Sequence, residues 1–148
     1  MPTPSIGIGL PVYQNEKFLA IALDSILAQS YTNFVVYLCE DRSDDATADI
    51  CQQYASKDKR IRYSQNEVNL GEIGNHQRVL DLAETDYFMF ARGHEILPEN
   101  LLADCIEILQ SDDEVVLAFA KTVWVDEQGK RMKERHLPHF DTRGCDVT

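Results

Sequence analysis

The sequence predicts an α/β fold: a doubly wound, mostly parallel sheet with helices on both faces. Three observations lead there. Short, mostly apolar runs recur at Ser5–Leu10, Phe34–Cys39, Ile61–Ser64 and Tyr87–Ala91, and near-continuous apolar runs of this length suit strands buried on both faces. Each run is followed by a segment with helical spacing, and strand alternating with helix builds a parallel sheet. Polar clusters then stand where three of the runs stop: Pro11 to Glu16, Glu40 to Asp45, and Arg92 to Glu95. In an open parallel sheet such strand ends converge on one crevice, where ligands bind.

The elements are expected in this order. Ser5–Leu10 is a strand closed by Pro11. A helix follows the loop Pro11–Asn15, with Leu19, Leu23, Ile26 and Leu27 on one face. Tyr31–Asn33 breaks it, and Phe34–Cys39 is the second strand. Ser43 or Asp44 caps the next helix, whose first turn is acidic and whose Ala46, Ile50 and Tyr54 face inward. Ile61–Ser64 is the third strand; after the loop Asn66–Gly71, a third helix is marked by Ile73, Gln77, Leu80 and Ala83. Tyr87–Ala91 is the fourth strand. Pro98 opens a fourth helix with Leu102, Cys105, Ile106 and Leu109 apolar. Val115–Val125 reads as a strand, and Glu127–Lys130 as a hairpin turn. The expected domains are 1–130, binding a ligand, and 131–148, a polar tail or the start of a further part.

A chain of 148 residues makes about one domain with a real core. Its net charge of −11 argues against nucleic acid and anionic membranes as partners, because both require a basic face. The same charge means that any phosphorylated ligand needs a local cation, from an arginine, a metal or a helix N-terminus. Cys39, Cys51, Cys105 and Cys145 fall singly and read as reduced core thiols. His136, His139 and Cys145 lack a fourth partner at a zinc-site spacing. No run reaches the roughly 18 apolar residues of a membrane span, and no signal segment opens the chain. A cytoplasmic location is expected, with peripheral attachment to a membrane left open. Gly7 and Gly9 lie inside a strand with no third glycine at the helix start, which disfavours a dinucleotide-binding turn.

An ordered series of motifs adds a resemblance. Pro11–Glu16, Ala22–Tyr31, Glu40–Thr47, Asp58–Tyr63, Asn66–Gly71, Tyr87–Phe88 and Asp126–Lys130 occur in an order and spacing similar to family 2 glycosyltransferases of the GT-A fold. Glu40–Thr47 resembles that family's Asp-Asp-Gly-Ser-x-Asp-x-Thr element. The resemblance implies a Rossmann-like nucleotide-binding half that holds a nucleotide-diphosphate sugar, usually a UDP-sugar, and transfers the sugar to an acceptor hydroxyl. It makes Pro11, Val12 and Tyr13 the wall against the base, with Glu16 closing that cluster. Glu40 takes the place of an aspartate that hydrogen-bonds the base, and Asp41 stands beside it. A carboxylate suits that place because uracil presents an imide N–H. Asn69 and Gly71 are implied beside the diphosphate, with Asn75 where many members carry arginine.

The departure comes after the fourth strand. There the family's Asp-x-Asp motif is replaced by Arg92, Gly93, His94 and Glu95. Two functional readings stay open. His94 and Glu95 hold a divalent cation, Mn2+ or Mg2+, on the diphosphate; or Arg92 replaces the cation with a guanidinium. A third reading is a non-catalytic domain that keeps the fold and the nucleotide-sugar site. The catalytic base is expected beyond Thr148, since Glu134 and Asp141 come too early, and the acceptor, a saccharide or another hydroxyl compound, is not specified.

Overall fold

The computed structural model of the protein describes residues 3–127 and 129–132. The chain divides into two compact units, Met1–Ala118 and Phe119–Thr148. The first holds four strands and four helices in strict alternation: β1 (Ile6–Val12), α1 (Leu19–Leu27), β2 (Phe34–Glu40), α2 (Thr47–Lys57), β3 (Ile61–Gln65), α3 (Gly71–Asp81), β4 (Tyr87–Phe90) and α4 (Leu101–Ser111). The strands form one parallel sheet in the order β3-β2-β1-β4. The α/β expectation therefore holds.

Strand periodicity sorts the side chains onto two faces. Ile6, Ile8, Leu10 and Val12 of β1 join Phe34, Val36 and Leu38 of β2 in the main core. Leu19, Leu23 and Ile26 of α1, Cys51 of α2, and Leu102 and Ile106 of α4 cover that face. Each such aliphatic side chain, fully buried, contributes roughly 1.5–3 kcal/mol. On the other face Tyr37 and Cys39 pack with Val79 of α3, alongside Phe88, Leu82 and Ala83. Helices thus lie on both faces. Gly7 and Gly9 keep the second face thin: a Cβ on Gly9 would overlap Val79 and lie 2.5 Å from the Phe88 ring.

Several boundaries differ from those the sequence suggests. β1 runs through Pro11 to Val12 instead of stopping at Leu10. The reason is directional. Gly9 accepts from the Ala91 N–H at 2.9 Å on the β4 side, whereas Val12 accepts from the Asp41 N–H at 3.0 Å on the β2 side. Backbone groups of a parallel strand face alternate neighbours, so the N–H that Pro11 lacks would have pointed to β4. The β1–β4 ladder ends there, while pairing with β2 continues to Glu40.

Neither Ser43 nor Asp44 caps α2, whose N-terminus at Ala46 has no cap from its own side chain. These two residues hold the loop after β1 instead. Ser43 Oγ accepts from the Gln14 N–H at 2.9 Å, and Asp44 Oδ1 accepts from Gln14 Nε2 at 2.7 Å. Pro98 precedes α4 and does not open it. Its carbonyl accepts from the Leu101 N–H at 3.0 Å and from Gln29 Nε2 at 2.7 Å. Gln29 Oε1 in turn accepts from the Leu102 N–H, which satisfies an orphan donor of the helix start.

The inward face of α3 is not the one its apolar residues suggest. Ile73 is 87% exposed and Leu80 43%, while Asn75 and Val79 are buried. The glycines of β1 leave this face room for little beyond Val79, and Asn75 is buried because its amide meets backbone carbonyls at the strand ends.

Residues 115–124 form no strand: no described strand pairs with them, and Val116, Leu117 and Trp124 are exposed. In the second unit a turn is present as expected. The Asp126 N–H donates to the Lys130 carbonyl, the Gly129 N–H to the Asp126 carbonyl, and Val125 bridges Arg131. Glu134, His136, His139, Asp141 and Cys145, and nearly all of the tail expected over 131–148, lie outside the described residues.

Candidate functional site

After β3 the chain crosses from one side of β1 to the other, because β2 and β3 flank β1 on one side and β4 on the other. Such a switch point leaves a crevice beyond the carboxyl ends of the two diverging strands. A cavity of about 410 Å³ lies there. It is lined by Pro11, Val12, Tyr13 and Asn15 after β1, Asp41 after β2, the start of α3, and Arg92, Gly93 and His94 after β4.

Asp41 is the best-anchored of these residues, at 1% exposure. Its Oδ1 accepts from the Leu70 N–H and from Asn66 Nδ2, both at 2.8 Å. Its carbonyl accepts from Asn69 Nδ2 at 2.9 Å. Oδ2 carries no hydrogen bond among the described residues, so a buried carboxylate faces the cavity region with one oxygen uncommitted. Asn66 Nδ2 donates also to Asn75 Oδ1 at 3.0 Å. Asn75 Nδ2 donates to the Cys39 carbonyl at 3.1 Å and, at 3.5 Å, to that of Val12. This buried amide network ties the ends of β1 and β2 to α3.

The loop after β1 is clamped to the start of α2. The Asn15 N–H donates to Thr47 Oγ1 at 2.7 Å, and the Glu16 N–H to Asp45 Oδ2 at 3.2 Å. Glu16 Oε2 accepts from the Ala46 N–H at 3.0 Å and so supplies from outside the helix the cap that α2 lacks. Burial pushes the Asp45 carboxyl up, but hydrogen bonds from the Thr47 hydroxyl, the Thr47 N–H and the Glu16 N–H outweigh it and hold the group below its ordinary value.

The turn after β4 is fixed at both ends. The Ala91 N–H donates to the Gly9 carbonyl, and the Glu95 N–H to that of Arg92 at 3.1 Å. Between them Gly93 is pressed against the first loop, since a Cβ there would lie 3.0 Å from the Asn15 side chain and 3.3 Å from Val12. Arg92 and His94 are exposed on either side of it. On the α3 wall His76 stacks at a tilt on Phe90, with ring centroids 5.1 Å apart, and its Nδ1 lies 2.8 Å from the Glu72 carbonyl.

Of the residues singled out from sequence, Pro11, Val12, Tyr13, Asp41, Asn69, Gly71, Asn75, Arg92 and His94 meet on this cavity; Glu16, Glu40 and Glu95 do not line it. Glu16 is spent on the α2 clamp. Glu40 is fully buried, with Oε1 taking the Ser43 N–H and Oε2 taking Gln65 Nε2 at 2.7 Å. It shapes the turn that presents Asp41. Asn15, Glu72 and His76 line the cavity without having been singled out. Helical spacing could have found the last two, because Gly71, Glu72, Asn75 and His76 fall on one face of α3.

A divalent cation needs several converging ligands, usually oxygens. Among the described residues no three His, Cys, Asp or Glu side chains come together as such a group. Of the two expected ligands, His94 is on the cavity wall and Glu95 is off it. The residues present do not fit the metal that the altered motif suggested.

The family model for glycosyl transferase family 2 matches residues 8–146. A putative glycosyltransferase of Bacillus subtilis, EpsE, is 30% identical over 129 residues, covering 86% of this chain and 46% of that protein. An uncharacterized glycosyltransferase of Methanocaldococcus jannaschii is 26% identical over 136 residues, covering 90% and 47%. The chain spans about half the length of such curated relatives, or less. Among solved structures, TarS of S. aureus (residues 1–349) in complex with UDP is similar with a TM-score of 0.66 at 26% identity, over 71% of this chain and 32% of that one. The same protein with UDP-GlcNAc gives 0.66 at 25%, over 71% and 31%. A mannosyltransferase of Pyrobaculum calidifontis, at 18% identity with a TM-score of 0.67 over 73% and 33%, shares the fold. No described helix is long and apolar enough to cross a membrane.

Proposed function

The chain belongs to glycosyl transferase family 2, and on that premise we propose that its cavity binds the nucleotide diphosphate of a sugar donor, with UDP as the nucleotide. The observation that carries this reading is the pairing of two groups at the switch point. Among the described residues, Asp41 offers a carboxylate oxygen without a partner, and across the crevice Arg92 offers a guanidinium without one. The first suits a base with an N–H to give, as uracil has; the second suits phosphate oxygens. Asp41 takes the base-binding part in preference to Glu40, because both Glu40 oxygens are engaged inside the protein. Tyr13, 46% exposed at the cavity mouth, supplies an aromatic face for the base. Asn69 and Gly71 stand where the helix α3 begins, and the positive end of the helix favours an anion there, although the Gly71 N–H itself donates to Asn69 Oδ1 at 2.9 Å.

The UDP and UDP-GlcNAc complexes of the S. aureus relative support uridine as the nucleoside. Transfer of the sugar to an acceptor hydroxyl is the activity proposed for the whole protein, and the domain over 1–130 is proposed as its donor-binding part. Asp41→Asn tests the base contact. Calorimetry with UDP should show binding weakened about 10- to 100-fold, the loss expected when a charged hydrogen-bond partner is neutralised, whereas unchanged affinity would place the base elsewhere. The second reading, a domain that binds the donor without turning it over, rests on the replacement of the family's Asp-x-Asp motif by Arg92, Gly93, His94 and Glu95. Release of labelled sugar from a UDP-sugar decides between them: turnover excludes the second reading, and binding without turnover excludes the first for this chain.

A further inference from the structure

We propose that Arg92 is the resident cation of this cavity, pairing with the diphosphate so that the chain binds its nucleotide without a divalent metal. The proposal rests on the nucleotide reading above and specifies how its most charged part is held.

A diphosphate brought to a protein of net charge −11 meets an unfavourable field unless a local cation offsets it. Two anionic side chains, Asp41 and Glu72, already line the cavity. The described residues assemble no group of three metal-ligating side chains, and Glu95, one of the two expected ligands, is not among the residues that line the cavity. Arg92 is the remaining permanent charge on the cavity lining; the titratable neighbours there are His76, His94 and Tyr13. Its guanidinium forms no hydrogen bond or ion pair among the described residues. By contrast, Arg60 is spent on Asp58 at 2.7 Å and Arg62 lies over the Tyr37 ring.

The position of Arg92 is fixed even though its side chain is exposed. The β1–β4 ladder ends one residue before it, the Glu95 N–H closes a turn on its carbonyl, and Gly93 locks that turn against Val12 and Asn15. A guanidinium so anchored presents a planar fork of N–H donors that matches two phosphate oxygens at once. It requires nothing to be loaded first. Unlike a hydrated metal, it loses little hydration when the ligand arrives.

The test measures UDP affinity of the 148-residue chain by calorimetry, in EDTA and in Mn2+, and uridine affinity by ligand-observed NMR. The expected result is UDP binding in EDTA within about twofold of that in Mn2+, since no metal-bound contact is lost. Arg92→Gln should weaken UDP about 10- to 100-fold while leaving uridine unchanged, and Arg92→Lys should fall between, keeping the charge but not the fork. UDP binding that requires Mn2+, or an Arg92→Gln protein that binds UDP like the parent, overturns the role of Arg92 and leaves the nucleotide reading intact. Failure of both uridine and UDP to bind under every condition overturns the nucleotide reading and this inference with it. Circular dichroism of the variants separates lost binding from lost fold.

Discussion

The side-chain amide of Asn66 donates to Asp41 Oδ1 at 2.8 Å, and this contact sets which way the cavity carboxylate faces. Asn66 follows β3 and Asp41 follows β2, so this bond joins two loops that the Asn69 and Leu70 hydrogen bonds to Asp41 also tie together. The second hydrogen of the same amide reaches Asn75 on α3. Asn66→Ala removes both partners and leaves buried acceptors short of donors. Unfolding in urea should show a loss of about 1–3 kcal/mol, and UDP affinity should fall with it because Asp41 loses its orientation. Full stability in that variant would mean that water replaces the amide.

The glycine pair in β1 gives a packing prediction. A methyl group on Gly9 would collide with Val79 and with the Phe88 ring, neither of which has a free direction to yield, because both lie between sheet and α3. Gly9→Ala should cost about 1–3 kcal/mol in urea denaturation. Gly71→Ala probes a different term. Nothing lies within 4 Å of its added Cβ, but its φ of 73° is unfavourable for alanine, which costs about 1 kcal/mol. If Gly9→Ala proved the milder of the two, the close contact of α3 with the sheet would be in error.

Arg42 stands at φ 61°, in the turn between Asp41 and Ser43. The related family motif has glycine in this place, and the left-handed backbone explains why. Arg42→Gly removes strain of about 1–2 kcal/mol but adds freedom to the unfolded chain. The net expectation is a gain of about 0.5–1 kcal/mol in stability with UDP binding unchanged. A clear loss of stability would assign the Arg42 side chain a contact that outweighs its backbone.

Acid should loosen the fold through three carboxylates. Hydrogen bonds from the Arg60 side chain hold Asp58 below its ordinary value, and the Ser5 N–H and hydroxyl do the same for Asp86. Asp45 is likewise lowered, its Thr47 and Glu16 hydrogen bonds outweighing burial. A carboxyl whose value is depressed on folding stabilises the protein above its unfolded value of 3.8. That stability is lost as pH falls through the folded value. Denaturation midpoints should therefore decline below about pH 4, and Asp58→Asn should flatten the decline. An Asp58→Asn profile parallel to that of the parent would remove Asp58 from this account.

Much of the fold was legible because burial on both faces leaves a plain mark: Phe34–Cys39 carries no charge and became the centre of β2. The helix α3 was legible in extent but not in phase. Its inward residue is Asn75, buried for its hydrogen bonds, while Ile73 is exposed, and counting apolar residues cannot anticipate that. The site was legible as three strand ends, and Asp41, Asn75 and Arg92 do meet there. The distinction between Glu40 and Asp41 was not legible. Adjacent strand-end residues point to opposite sides of a sheet, and only the register of β2 decides which reaches the crevice. Val115–Val125 has a strand's composition, but among the described residues it makes only the isolated bridge of Val125 to Arg131, and composition alone does not make a sheet.

The central claim is that one nucleotide diphosphate occupies the crevice between the ends of β1 and β4. Its most direct test is an NMR titration of the isotope-labelled chain with UDP, following backbone amides residue by residue. The account predicts the largest shifts at Tyr13, Asp41, Gly71 and Arg92–His94, saturating together as a single binding event. Shifts confined to other surfaces, or none at these residues while UDP binds, would contradict it.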